Sequence, residues 1–303
     1  MISPSTTRTS RRRMLTGATV VAAAIIATIP AAAQAITIPV ACANGENALV
    51  GAVNLANTTP AADTLALAGG CTYRLTSGHG NAGNGPTGLP IITTPIEMIG
   101  PATITRIPGL LGDVLNPFRI AEVSSTGALT LTTSVTLSNG RAASGLLGLG
   151  AQSGGGILNR GAVTLTSSTL TNNVATAKGG GLANADTPTG TAPAATFTTS
   201  MVSGNRAAGD GGGIYNGLRD TLTVTSTPVN ATNRSGARGG GIAAVSSTAT
   251  TLTSSPISGN IAGTTAGGVF RSGGTMVTNS SPITANSPNN CVGSVPAVPS
   301  CTG

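Results

Sequence analysis

Over most of the chain, apolar residues alternate with polar ones in short runs. The clearest are Thr164-Leu165-Thr166, Thr196-Phe197-Thr198, Thr223-Val224-Thr225 and Thr251-Leu252-Thr253, with an earlier copy at Thr130-Leu131-Thr132. A period of two is that of a strand with one buried face. Five residues after the centre of each of the four later runs stands a second apolar residue: Leu170, Val202, Val229 and Ile257. Glu46 to Ala56 breaks the habit. There Leu49, Ala52, Val53 and Ala56 share one helical face, which predicts a short helix plugging the open end of a core. Asp63 to Leu67 and Cys71 to Leu75 read as the first strands, and His79 to Gly88 as a loop.

A repeat underlies the alternation. Gly154-Gly155-Gly156-Ile157 recurs as Gly179-Gly180-Gly181-Leu182, Gly211-Gly212-Gly213-Ile214 and Gly239-Gly240-Gly241-Ile242, with a weaker copy at Ala266-Gly267-Gly268-Val269. The copies start 25, 32, 28 and 27 residues apart, and an asparagine lies six residues ahead of a copy at Asn173, Asn205, Asn233 and Asn260; Asn286 follows the last. Glycine triplets and β-branched residues oppose helix. Each unit therefore reads as three short strands and three turns, one coil of a single right-handed parallel β-helix. In that reading Gly154, Gly179, Gly211 and Gly239 hold tight corners, and the four asparagines stack coil upon coil through their amides. The longest unit has room for a surface loop at Asp186 to Gly190. Leu146, Leu147 and Leu149 belong to a coil, since the preceding segment lacks the Lys-Ser/Thr ending of a phosphate loop.

The N-terminus is of a different kind. Arg8, Arg11, Arg12 and Arg13 precede an apolar run from Met14 to Pro30, and Ala33-Gln34-Ala35 fits a small-residue cleavage site. Residues 1–35 read as a signal peptide, with Ser10 to Leu15 resembling a twin-arginine motif; an ordinary secretory signal is the other reading. Residues 36–88 are then the cap and first strands, 89–290 the coils (roughly seven at the observed period) and 291–303 a tail. Four of the 15 basic residues leave with the signal and none of the 8 acidic ones, so the remainder carries eleven against eight. No clustered basic footprint for nucleic acid remains, and no membrane span is expected after cleavage. The four cysteines, Cys42, Cys71, Cys291 and Cys301, lie in pairs near the two ends. In an exported chain they read as disulfides, with Cys42–Cys71 and Cys291–Cys301 favoured among three connectivities. His79, the one histidine, has no metal-ligand spacing around it.

The glycine-triplet and aliphatic-x-x-Asn segments (Leu170 to Asn173, Val202 to Asn205, Ile257 to Asn260, Ile283 to Asn286) resemble the GGA[ILV] and FxxN repeats of the polymorphic outer-membrane protein family. An aliphatic residue stands here for the phenylalanine. With Gly70-Cys71-Thr72-Tyr73 ahead of the coils, the chain also looks like secreted β-helix proteins of pectin-lyase-like fold. The first resemblance implies a C-terminal membrane barrel in its relatives. This chain, with five aromatic residues and a Pro/Ser/Cys tail, is expected to have none of its own.

Pectin-lyase-like enzymes imply aspartates, often calcium, and a basic residue acting on acidic polysaccharide. Asp113, Asp186, Asp210, Asp220, Glu97 and Glu122 are the acids to consider, and Asp210, Arg219 and Asp220, around the Gly211 corner, are the candidate catalytic set. No acids repeat at equal offset from the triplets on adjacent coils, and with 2% aromatic residues only Tyr215 stands beside a glycine corner as a sugar platform. The sequence thus favours a non-catalytic secreted or cell-envelope protein without cofactor, serving adhesion, carbohydrate or surface-protein contact, or structure. A polysaccharide lyase or hydrolase, using calcium, is the alternative. A third reading comes from the threonines. If the central residue of each Thr-x-Thr run points inward, the threonines stack outside in two rows, an arrangement resembling ice-binding β-helices; threonine is also an ordinary residue for a wet strand face.

Overall fold

The computed structural model describes residue 1 and residues 34–108, 115–144, 150–185 and 192–303. The signal-peptide reading, the loop at Asp186 to Gly190, Asp113 and the Leu146, Leu147 and Leu149 run lie outside them.

From residue 34 onward the described residues form an all-β, right-handed parallel β-helix with one α-helix among them. Among the described residues, strands pair in parallel with the equivalent strand of the next coil, in four sheets of nine, eight, five and six strands. One coil shows the order. Ala162–Thr166 lies in sheet 1, Thr169–Thr171 in sheet 2, Val174–Ala175 in sheet 3 and Leu182–Asn184 in sheet 4, and the chain returns to sheet 1 at Ala194–Thr198. The alternation predicts three strands per coil, and the structure has four. Sheet 3 is the addition; its strands are two residues long, too short for a period of two to register.

The alternating pattern sets the core. In sheet 1, Leu131, Leu165, Phe197, Val224 and Leu252 form one inward column in register, all fully buried. Leu137, Leu170, Val202, Val229, Ile257 and Ile283 form the column of sheet 2, and Ile157, Leu182, Ile214, Ile242 and Val269 that of sheet 4. Each such side chain contributes about 1.5–3 kcal/mol on burial. Sheet 3 places Ala142, Ala175, Ala207, Ser235 and Ala262 inward instead. Small residues fit there because the neighbouring glycine corner brings backbone close: a Cβ on Gly180 would stand 2.5 Å from the nitrogen of Arg206.

The glycines of each triplet answer different constraints. The first, at Gly154, Gly179, Gly211 and Gly239, has φ between +64 and +72°, a region costly for residues with a Cβ. The second faces backbone of the next coil. The third lies against the stacked asparagine, with Asn173 Nδ2 3.0 Å from a Cβ placed on Gly156 and Asn260 Nδ2 3.0 Å from one on Gly241. Triplet and asparagine are one packing unit, which is why they keep their spacing.

The asparagines form a single file. The amide of Asn173 donates to Asn205 Oδ1 (3.1 Å), Asn205 to Asn233 Oδ1 (3.1 Å), Asn233 to Asn260 Oδ1 (2.9 Å) and Asn260 to Asn286 Oδ1 (3.0 Å). The backbone N–H of Asn173 also donates to Asn205 Oδ1, and that of Asn205 to Asn233 Oδ1, both at 3.0 Å. All these asparagines are buried.

Both ends are closed. The helix α1 (Gly45–Ala56) turns Leu49, Ala52, Val53 and Ala56 onto strands Thr37–Val40, Asp63–Leu67 and Cys71–Leu75. Thr37–Val40, a strand the sequence pattern does not reveal, opens sheet 1 ahead of the helix. Cys42 is bonded to Cys71 and Cys291 to Cys301. At the far end the tail stands in for a further coil: Asn290 Oδ1 accepts from Asn286 Nδ2 (3.1 Å), and Val298 is buried.

Glu46 fastens the cap. Its carboxylate accepts from the N–H and hydroxyl of Thr76, the N–H and hydroxyl of Ser77, and lies 2.8 Å from His79 Nε2. Burial pushes this carboxyl up, but the hydrogen bonds from Thr76, His79 and Ser77 outweigh it and hold the pKa below the usual value. Stability from a lowered carboxyl is complete above the unfolded value, about 4.3, and is lost as pH falls through the lowered folded value. Acidification through that window is expected to speed amide exchange in α1 before the coils, and Glu46→Gln to abolish the pH dependence. Exchange that stays pH-independent in the wild type, after correction for intrinsic rates, would count against the clasp.

Candidate functional site

The outer face of sheet 1 carries threonines in register from coil to coil. Thr130, Thr164, Thr196, Thr223 and Thr251 stand in register on five neighbouring strands, and Thr166, Thr198, Thr225 and Thr253 form a second file beside them. All are partly or fully exposed. Strand geometry puts the rungs about 4.8 Å apart and the files about 6.7 Å apart. None of these hydroxyls bonds to another described residue, so each keeps its donor, its acceptors and its methyl for a partner. The grid has defined ends. Glu97 precedes Thr130 in the first file, and Val277 and Asn279 take the two positions after Thr251 and Thr253.

The candidate catalytic residues have other arrangements. Asp210 is buried just ahead of the Gly211 corner. Its Oδ2 is 2.8 Å from Arg238 Nη2 and its Oδ1 accepts from Arg238 Nε at 3.1 Å. Hydrogen bonding to Asp210 pushes the Arg238 pKa up against burial, and the guanidinium lies 4.2 Å from the Phe270 ring centroid. Asp220 is fully buried at the other end of strand Ile214–Asn216, where its Oδ2 accepts from Gly217 N–H at 3.0 Å. It closes the turn into Thr221–Thr225. Arg219 sits in that turn with φ +66°. The two carboxylates thus flank one strand of sheet 4 at opposite ends, each engaged with the chain.

Of the other acids, Glu97 accepts from the Thr132 hydroxyl at 3.2 Å. Glu122 is buried against Arg119 (3.2 Å), Arg160 (3.8 Å) and Asn84 (2.8 Å). Burial pushes the Arg119 guanidinium down to about 10, with Glu122 opposing the shift and Arg160 adding to it. Arg119 also donates to the Gly85 carbonyl at 2.9 Å, so this cluster pins the loop at Asn84 and Gly85 to the coils. Among the described residues no three His, Cys, Asp or Glu side chains are grouped as metal ligands.

Sheet 4 is unusual in burying its outer face as well. Leu158, Ala183, Tyr215, Ala243 and Phe270 form an outward column in register, a second apolar cluster apart from the core. Cations lie over its rings: besides Arg238 on Phe270, Lys178 Nζ is 4.6 Å from the Tyr215 centroid and 3.2 Å from its hydroxyl. Beside Tyr215 opens a groove of about 780 Å³ lined by Lys178, Ala185, Leu218 and Arg219. Tyr215, at 8% exposure, offers little ring face to a sugar.

Two buried polar ladders escaped the sequence reading. At the corner from sheet 1 to sheet 2, the N–H of Ser168 donates to Ser200 Oγ, Ser200 to Thr227 Oγ1, Thr227 to Ser255 Oγ and Ser255 to Ser281 Oγ, at 3.0–3.2 Å. At the corner from sheet 4 to sheet 1, Asn159 Nδ2 donates to Asn184 Oδ1 (2.8 Å) and Asn184 Nδ2 to Asn216 Oδ1 (3.0 Å). Its one signal was an asparagine three residues after each of the first three triplets to carry it: Gly156 to Asn159, Gly181 to Asn184, Gly213 to Asn216.

Comparison of the chain with protein families, with curated proteins and with solved structures returned no match. Among the described residues no helix is long and apolar enough to cross a membrane.

Proposed function

We propose that this chain is a non-catalytic, exported β-helix that uses the outer face of sheet 1 to hold an extended, uncharged partner, a carbohydrate polymer. The observation that carries the reading is the in-register pair of threonine files, whose hydroxyls bond to no other described residue. A flat array with one spacing along the axis and another across it matches a partner that is itself periodic. Hydroxyls bond to sugar hydroxyls while the methyls lie against ring carbons, and neither requires charge. The bonded state of Asp210 and Asp220 supports a binding role over catalysis. The resemblance to secreted β-helix proteins of pectin-lyase-like fold and to polymorphic outer-membrane repeats, the reading of residues 1–35 as a signal, and the two disulfides agree with a place outside the cell or in its envelope.

The test is co-sedimentation with insoluble cellulose, chitin and other neutral glycans. Wild type is expected to sediment with at least one, and Thr196→Lys with Thr223→Lys to bind about tenfold more weakly, because two ammonium groups in mid-grid break the spacing. Binding that ignores these substitutions overturns the assignment to sheet 1. Release of unsaturated sugars from polygalacturonate in the presence of calcium would favour the lyase instead. The same threonine spacing favours ice as a second periodic partner, and thermal hysteresis lost in the double variant would identify it.

A further inference from the structure

Sheet 3 holds an anomaly of charge. Its outward positions, one per coil, are Arg141, Val174, Arg206, Arg234 and Ile261 in register. Arg206 and Arg234 are therefore direct neighbours, both exposed, on strands about 4.8 Å apart. Like charges facing each other across neighbouring strands are destabilising. The coils on either side show that the fold does not need arginine here, since Val174 and Ile261 fill the same position. Neither guanidinium has a hydrogen bond or ion pair with another described residue. Arg119, Arg238 and Arg271, by contrast, are each bonded to the chain.

The surface beside them is shaped. Two depressions of about 420 and 410 Å³ flank the pair, and Arg206 and Arg234 line both. In the first, Asn172, Gly204 and Thr232, from three successive coils, share the lining with the two arginines. The second is lined besides by Ser235, Gly236 and Gly263.

We propose that Arg206 and Arg234 form a binding site for a phosphoryl group. A guanidinium presents parallel N–H donors in a rigid fork, and a tetrahedral oxyanion has oxygen pairs enough for two forks at once. A phosphate monoester also carries about −1.5 to −2 charges at neutral pH, which neutralises both arginines. A carboxylate offers a single edge and a single charge, leaving one cation unmatched. The site lies on a different sheet from the threonine grid and stands or falls separately from it. The same chemistry has two sources, free phosphate and a phosphomonoester carried on a polymer.

The experiment uses the purified protein with two probes: inorganic phosphate, read by the shift in thermal midpoint against chloride at equal ionic strength, and phosphocellulose, read by retention in excess of that on unmodified cellulose. Phosphate is expected to raise the wild-type midpoint, and Arg206→Gln with Arg234→Gln to weaken binding about tenfold or more. The charge-matched Arg74→Gln with Lys178→Gln is expected to keep the wild-type response. In phosphate-free buffer the arginine double variant should be at least as stable as wild type, since it loses a repulsion; a structural role for the pair would give the opposite. A phosphate response without excess resin retention identifies the free anion, and excess retention identifies the polymer-borne ester. A double variant that responds like wild type, or a wild type that answers to neither probe, overturns the proposal.

Discussion

Replacing Asn205 with leucine is expected to lower stability by about 3–5 kcal/mol, although the two side chains are similar in size. Asn205 Oδ1 accepts from both the backbone N–H and the amide of Asn173, and Asn205 Nδ2 donates to the Leu170 carbonyl at 3.0 Å as well as to Asn233. Leucine leaves these buried donors and the carbonyl short of partners, and each buried group without one costs about 1–3 kcal/mol. The comparison is Asn230→Ala. Asn230 is half-buried, and its loss should stay within about 0.5 kcal/mol. Urea midpoints of the two variants decide the matter. Equal midpoints would mean that the amide file follows the coil rather than holding it.

The second large effect belongs to Gly212→Ala. A Cβ there would meet the Gly240 carbonyl oxygen and the Arg234 carbonyl carbon, each at 2.4 Å, and the Arg234 nitrogen at 2.6 Å. These are backbone atoms of the next coil, which no rotamer change can move. Adjacent coils must part at sheet 3, and the expected loss is about 4 kcal/mol or more. Gly259→Ala separates sterics from dihedral strain. Gly259 has φ +67° but nothing within 4 Å of the added atom, so only the left-handed penalty of about 1–2 kcal/mol applies. Hydrogen exchange should show the Gly212 variant opening at the Gly212 and Arg234 coils, with the α1 end protected as in wild type. Repeat stacks permit such local failure because each unit touches only its neighbours.

These two positions also mark what the sequence makes legible. Glycine triplets and their asparagines stand out because each combines a rare conformation or a buried amide with a fixed offset, and the structure ties them into one packing unit. The hydroxyl ladder was invisible for the opposite reason. Ser168, Ser200, Thr227, Ser255 and Ser281 sit among many serines and threonines of the same composition, and burial alone distinguishes them. The second asparagine file is short, ending where Ala244 takes the place of Asn216 on the next coil. Sheet 3 hid because two residues make no period.

The candidate surfaces divide in the same way. The Thr-x-Thr runs could be read as outward rows from alternation alone. Asp210 and Asp220 are near in sequence, yet the width of sheet 4 separates their roles, one held by a cation from the next coil and the other closing a turn. The pairing of Arg206 with Arg234 required register: in sequence they are 28 residues apart, and only stacking makes them neighbours.

The amide file has a direction. From Asn173 to Asn290 every step runs donor to acceptor in the same sense, so the top of one unit is chemically the bottom of the next. A molecule assembled this way can gain or lose whole units between its two plugs without redesigning either junction. Its reach is then an adjustable quantity, while the texture it shows to the outside stays the same.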